Sequence, residues 1–106
     1  MSFTAALSTK GDTAVITLSG DLDDANSAQF RDKVAEASKQ RISRLVLDMT
    51  ELDRLSSSGL RGLAFCREKM GGDVDIVFVS PNEDVRAAIE GVGFQLSVTI
   101  ADSVPQ

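Results

Sequence analysis

The chain has 106 residues, and its 11 Lys and Arg against 16 Asp and Glu give it a formal net charge of −5. It contains no His, Trp or Tyr and a single Cys. Without His it cannot build a Ser-His-Asp triad or a His-ligated metal site, and one Cys excludes an intrachain disulfide or a Cys cluster. An acidic balance without Tyr or Trp argues against a nucleic-acid surface, which needs clusters of Lys and Arg and usually stacking aromatic side chains. We therefore expect a protein that is not an enzyme, holds no metal or cofactor and does not bind nucleic acid.

The length fits one domain, and no linker, repeat or low-complexity tract divides residues 1–106. We expect a core over about 3–100 and a loose tail over 102–106. Residues 1–7 lack the basic charge and the long apolar stretch of a signal peptide, and no segment approaches the ~20 apolar residues of a membrane span. These features predict a cytoplasmic protein that does not enter a membrane.

The first 24 residues predict a β-hairpin and a loop. Alternating apolar and polar residues over 3–8 predict an edge strand, and a turn signal at 10–12 leads into a second strand over 13–19. We expect Gly20 to break this second strand and residues 21–24 to form an acidic loop.

A helix and a buried strand follow. We expect Asn26 to cap the helix, in a capping box with Gln29, and the helix to continue to about Lys39. Its apolar face should carry Phe30, Val34 and Ala37. The apolar run over 45–49 is typical of a strand that is buried on both faces.

The second helix and the next strand are bounded by clear signals. Residues 56–59 should open the helix and Gly71-Gly72 should end it. Its apolar side should carry Leu60, Leu63, Ala64 and Met70. We expect Cys66 to be a small packing residue off the centre of this stripe, and residues 74–79 to form a buried strand.

The last helix should begin with Ser80 as its cap, Pro81 in its first position and Glu83 completing a capping box. Its apolar face should carry Val85, Ala88, Ile89 and Val92. The alternating residues Leu96, Val98 and Ile100 predict a final strand, with Phe94 closing the turn before it.

The resulting ββαβαβαβ order predicts an α/β fold with a mixed, mostly parallel sheet and helices packed mainly on one face. Because parallel strands end at the same edge of a sheet, the residues after the second, third and fourth strands should meet there. These are the carboxylates Asp21 and Asp23, the serines 56–58, and Ser80-Pro81.

Two groups at this edge have both structural and functional interpretations. A serine before Gly59 can simply cap a helix, but three adjacent hydroxyls also suit phosphorylation, which adds about −1.5 to −2 charges. Asp21 and Asp23 can belong to an ordinary acidic loop, contact a partner or bind Mg²⁺ weakly.

The segments 20–23, 45–48 and 55–60 resemble those of the STAS domain and, within it, of bacterial anti-sigma factor antagonists. The resemblance implies a regulatory module for partner-switching control of transcription. Such a protein binds a partner that is both an anti-sigma factor and a serine kinase, is released when that kinase phosphorylates it, and is reset by a PP2C-like phosphatase.

The resemblance also assigns roles to residues. It places the phosphorylated serine at Ser57, and Ser56 stands where the family has Asp, so Ser56 and Ser58 stay open as alternative acceptors. It implies a partner contact by Asp23. We expect the partner-binding surface to include, around Asp23, the residues Asp21, Ser56, Ser58, Gly59, Leu60 and Arg61.

Two other functions stay open at this point. One is a STAS scaffold subunit of a transporter or signalling complex that is not phosphorylated. The other is weak nucleotide binding by Asp21, Asp23 and the serines, although the chain has no glycine-rich phosphate loop with its Lys. The oligomeric state is also open, because the edge strand over 3–8 can pair with another chain.

Overall fold

The computed structural model describes residues 3–93 and 98–104. Its elements are β1 (Thr4–Lys10), β2 (Thr13–Leu22), α1 (Ser27–Ser38), β3 (Arg44–Leu55), α2 (Ser57–Met70), β4 (Asp75–Val79), α3 (Glu83–Gly91) and β5 (Thr99–Ala101). β1 pairs antiparallel with β2, and the remaining neighbours pair in parallel in the order β1-β2-β3-β4-β5. The predicted element order and the mixed, mostly parallel sheet are confirmed.

Side chains that alternate along β3 and β4 divide the apolar residues between the two faces of the sheet. On one face, Leu45, Leu47 and Phe78 join a large cluster that includes buried residues from all three helices. On the other face, Val46 and Val77 belong to a small second cluster. The helices therefore pack on one face, as predicted, and the predicted apolar face of α1 is fully buried.

β2 does not end at Gly20, so the predicted break at this residue is wrong. Gly20 adopts a left-handed φ of 87°, and the register with β3 shifts between Gly20 and Asp21. This irregularity lets β2 continue to Leu22, whose side chain is fully buried. β3 likewise continues to Leu55, beyond the predicted apolar run over 45–49, and only Ser56 separates it from α2.

Asn26 is the N-cap residue of α1, as predicted, but its side chain does not cap the helix. The amide oxygen of Asn26 accepts a hydrogen bond from the backbone N–H of Asp23 at 2.8 Å, and its NH₂ group donates to the carbonyl of Asp21 at 2.7 Å. The predicted capping box with Gln29 is therefore wrong, because the Asn26 side chain closes the loop after β2 instead.

The buried face of α2 matches the predicted apolar side only at Leu63. Its buried residues are Gly59, Gly62, Leu63 and Cys66, whereas Leu60, Ala64 and Met70 are only partly buried. Cys66 is a packing residue, as expected, but it lies on the buried face. Burial raises the pKa of its thiol to about 12. Two glycines on this face let α2 lie close to β2 and α1.

α3 is capped by Asn82, so the predicted Ser80 cap is wrong. Ser80 has a φ of 51°, its N–H donates to the carbonyl of Ala101 at 2.8 Å, and its hydroxyl donates to that of Asp102 at 2.8 Å. Ser80 therefore joins the ends of β4 and β5. Of the predicted apolar face, Val85 and Ile89 are buried, Ala88 is partly buried and Val92 is 60% exposed. Phe94 and Leu96 lie outside the described residues.

The Asn82 side chain makes contacts in two directions. Its oxygen accepts from the N–H of Val85 at 2.8 Å, which caps α3. Its NH₂ group donates to the carbonyls of Leu52 at 3.2 Å and Asp53 at 3.0 Å. β4 pairs with β3 only as far as Asp48, so these bonds cover part of the β3 edge that β4 leaves open.

We expect Asn82→Ala to lower the free energy of unfolding by about 1–3 kcal/mol, because it removes the cap and the two bonds to β3. Asn82→Ser keeps a capping oxygen but is too short to reach β3, so its loss should be intermediate. Urea unfolding followed by circular dichroism measures both variants. An Asn82→Ala protein as stable as the wild type would contradict the assigned role.

Candidate functional site

β2 and β3 end side by side, and the segments that follow them form an open cavity of about 570 Å³. Residues 23–25, residues 56–58 and Arg61 line this cavity, which we call the serine pocket. The predicted meeting of Asp23 with the serines is therefore found. Asp21 remains in β2, opposite Arg54 of β3, and it does not line the pocket; nor do Ser80 and Pro81.

Ser56 fixes the start of α2 against the sheet. Its hydroxyl oxygen accepts from the N–H of Gly59 at 3.1 Å, which makes it the N-cap residue of the helix. Its own N–H donates to the carbonyl of Leu22 at 3.0 Å. The first turn of α2 is thus bonded directly to the last residue of β2.

Ser58 links α2 to the loop after β2. Its hydroxyl donates to a carboxylate oxygen of Asp24 and accepts a hydrogen bond from Nη2 of Arg61 at 3.0 Å. Asp24 was not among the predicted site residues, since the sequence offers three neighbouring Asp side chains and no signal to separate them. The contact joins residues that are 34 positions apart in the chain.

Ser57 differs from both of its neighbours. It is exposed in the first position of α2, whereas Ser56 and Ser58 are partly buried. Within residues 3–93 and 98–104, the Ser57 hydroxyl has no hydrogen-bond partner. Of the three serines that line the pocket, Ser57 therefore offers the hydroxyl that a second protein can reach without breaking an internal bond.

Gly59 is buried where α2 passes the end of β2. A Cβ atom at this position would lie 2.8 Å from the Leu22 carbonyl oxygen and 2.7 Å from Cδ1 of Leu55, both closer than atoms can approach. The next residue, Leu60, is partly buried against the core. Because Gly59 has no side chain, α2 lies close to the end of β2, and this close approach sets the distance between the two walls of the serine pocket.

The charges around the pocket have both signs. Asp23 and Asp24 contribute carboxylates, and one oxygen of Asp23 accepts from the N–H of Ala25 at 3.0 Å. Arg61 contributes the single guanidinium of the pocket lining. Among the described residues, no group of three His, Cys, Asp or Glu side chains is placed to hold a metal ion.

The element order, the helices on one sheet face and the pocket between the ends of β2 and β3 define a STAS-type α/β fold. The STAS domain family matches residues 4–106, and the chain belongs to this family. No helix in the described part of the chain is long and apolar enough to cross a membrane.

Individual proteins that are similar to this chain include anti-sigma factor antagonists. The chain is similar to anti-sigma-F factor antagonist RsfB of Mycobacterium tuberculosis, at 27% identity over 107 residues that cover 97% of this chain and 88% of RsfB. The crystal structure of an anti-sigma factor antagonist from Mycobacterium paratuberculosis superposes with a TM-score of 0.88 at 21% identity, covering 97% and 88% of the two chains. The Bacillus cell fate determinant SpoIIAA, solved in its phosphorylated form, superposes with a TM-score of 0.72 at 21% identity, covering 96% and 93%.

Proposed function

We propose that this protein is an anti-sigma factor antagonist whose binding to an anti-sigma factor is switched off by phosphorylation of Ser57. The observation that carries the proposal is the difference between the three serines. Ser57 is exposed and its hydroxyl has no hydrogen-bond partner among the described residues, whereas Ser56 and Ser58 make internal hydrogen bonds. The names of the similar proteins and the phosphorylated form of SpoIIAA support the same function.

The electrostatics of the pocket explain how the switch works. Phosphorylation adds about −1.5 to −2 charges, which takes the net charge from −5 to about −6.5 to −7. The new charge appears in a pocket that already holds the carboxylates of Asp23 and Asp24. A partner that fits the neutral hydroxyl of Ser57 then has to desolvate a dianion among like charges, which costs several kcal/mol.

The proposed partner supplies the chemistry, and this chain supplies the acceptor. The anti-sigma factor acts as a serine kinase that transfers the γ-phosphoryl group of ATP to the Ser57 oxygen, releasing ADP and the hydroxyl proton. A PP2C-like phosphatase hydrolyses the phosphoserine and returns the hydroxyl. Both reactions take place in the cytoplasm, and the chain contributes no catalytic residue.

The docking surface we propose lies around the serine pocket. Asp23, Ser56, Ser58 and Arg61 line the pocket itself, and Leu60 lies beside it as an apolar contact. Gly59 acts through its backbone, because it is buried. Asp21 lies outside the pocket, so any contact that it makes with the partner is at the margin of this surface.

Phosphorylation mapping tests the proposal. The anti-sigma factor that co-purifies with the wild-type protein is incubated with the protein and ATP, and the product is analysed by mass spectrometry. We expect one phosphate, on Ser57, in the wild type and in the matched control Ser56→Ala, and none in Ser57→Ala. No phosphate on the wild type, or a phosphate outside Ser57, would refute the assignment.

A further inference from the structure

Arg61 is held over the first turn of α2 without a carboxylate partner. Its Nη2 donates to the Ser58 hydroxyl at 3.0 Å, and that hydroxyl donates in turn to Asp24. Among the described residues Arg61 forms no ion pair, whereas Lys33 pairs with Glu36 and Arg86 pairs with Glu90. Arg61 therefore presents to the serine pocket a guanidinium that makes no direct contact with a carboxylate of the described residues.

Arg61 follows Ser57 by four residues in the same helix. Side chains at positions i and i+4 of a helix lie one above the other, within reach of each other. Both residues line the serine pocket. A phosphate on Ser57 would thus stand beside the guanidinium, whose planar pair of donors matches two phosphate oxygens.

We propose that Arg61 is the intramolecular partner of a phosphate on Ser57. This inference rests on the phosphorylation site proposed above and concerns the state that phosphorylation produces. The guanidinium exchanges its bond to the neutral Ser58 hydroxyl for a charge-assisted pair with the phosphate. Asp24 opposes this pairing by repulsion, but its carboxylate already accepts the Ser58 hydroxyl. The long, exposed Arg61 side chain gives up its hydrogen bond to Ser58 when it turns toward the phosphate.

The pairing adds a second cause of partner release. In the unphosphorylated protein Arg61 is an exposed donor at the edge of the docking surface. In the phosphorylated protein the Arg61 guanidinium binds the phosphate on its own helix. A partner therefore meets a new negative charge and at the same time loses a positive group.

The ionisation of the phosphate tests the pairing without any partner. Phosphoserine is incorporated at position 57 during translation, and its second pKa is followed by ³¹P NMR. We expect Arg61→Gln to raise this pKa by about 0.5–1 unit, since the guanidinium favours the dianion over the monoanion by about 1 kcal/mol at close range. Arg61→Lys keeps the positive charge, so its phosphate pKa should lie between those of the wild type and of Arg61→Gln.

The matched control is Arg41→Gln, which removes the same charge from an exposed residue near the start of β3, at the opposite edge of the sheet. If Arg61→Gln and Arg41→Gln shift the phosphate pKa equally, the proposed pairing is wrong, because the effect is then one of net charge. Unfolding curves check that both variants are folded. If the pairing between Arg61 and the phosphate is not found, the proposal that phosphorylation releases the partner still stands. If the phosphoprotein shows the pairing and still binds its partner, only the proposed function is refuted.

Discussion

Ser57→Asp is expected to weaken binding of the anti-sigma factor about tenfold, as measured by isothermal titration calorimetry. Ser57 is exposed in the first position of α2, so the carboxylate of the variant would face the partner beside Asp23 and Asp24. One added charge is about half that of a phosphate, and a loss of about 1.4 kcal/mol in binding free energy corresponds to a factor of ten.

The matched control is Ser57→Asn, which has the shape of Asp without its charge and should bind nearly as well as the wild type. Both variants should unfold within about 1 kcal/mol of the wild type, because an exposed position at a helix N-terminus tolerates polar residues and favours an acid. If Ser57→Asp and Ser57→Asn weaken partner binding equally, the shape of the side chain, and not its charge, controls binding. Unchanged affinity of Ser57→Asp would contradict the electrostatic switch.

Gly59→Ala is expected to destabilise the fold by about 1–3 kcal/mol and to lower its midpoint of thermal unfolding by several degrees. The new Cβ would lie 2.7 Å from Cδ1 of Leu55 and 2.8 Å from the carbonyl oxygen of Leu22. The Leu55 side chain can rotate away. The Leu22 carbonyl cannot move freely, because it accepts the N–H of Ser56, so α2 itself has to shift.

Gly72→Ala is the control, because Gly72 is exposed beyond the end of α2 and a Cβ there would meet no atom within 4 Å. Differential scanning calorimetry of the two variants isolates the cost of the close approach from the general effect of replacing glycine. Equal unfolding midpoints would contradict the contact. Since the shift of α2 also moves the serine pocket, Gly59→Ala should bind the partner more weakly even where it remains folded.

The overall fold was predictable because its signals are long and repeated. Period-2 alternation in β1 and β2 and the spacing of Phe30, Val34 and Ala37 in α1 each extend over several residues. Because strands joined by a helix run parallel, their carboxyl ends then determine the sheet edge at which Asp23 and Ser56–Ser58 meet. That part of the site follows from element order alone.

The cap of α3 was not predictable, because two local capping signals compete at the same place. Ser80 and Asn82 both precede α3 and both have side chains that cap helices. Asn82 is the cap in the structure because its NH₂ group also reaches the carbonyls of Leu52 and Asp53, and Ser80 instead bonds to residues at the end of β5. These side-chain contacts join residues 22 to 30 positions apart, and such contacts leave no local pattern in the sequence.

The hydrogen bonds within the serine pocket likewise depend on contacts between segments that are distant in the chain. The local sequence pattern does not show which contacts each of the three adjacent serines and three neighbouring carboxylates makes. The hydrogen bonds from Ser58 to Asp24 and from Arg61 to Ser58 distinguish them, together with the cap formed by Ser56. These contacts depend on how far β2 and β3 extend. The length of β2 was not predicted, because glycine usually interrupts a strand, whereas β2 continues through Gly20.

The most direct test of the switch is the dissociation constant of one anti-sigma factor for two forms of this protein, unmodified and carrying phosphoserine at position 57. We expect the phosphorylated form to bind about 150-fold more weakly, which corresponds to a coupling of about 3 kcal/mol between phosphorylation and partner binding. Equal dissociation constants for the two forms would contradict the switch.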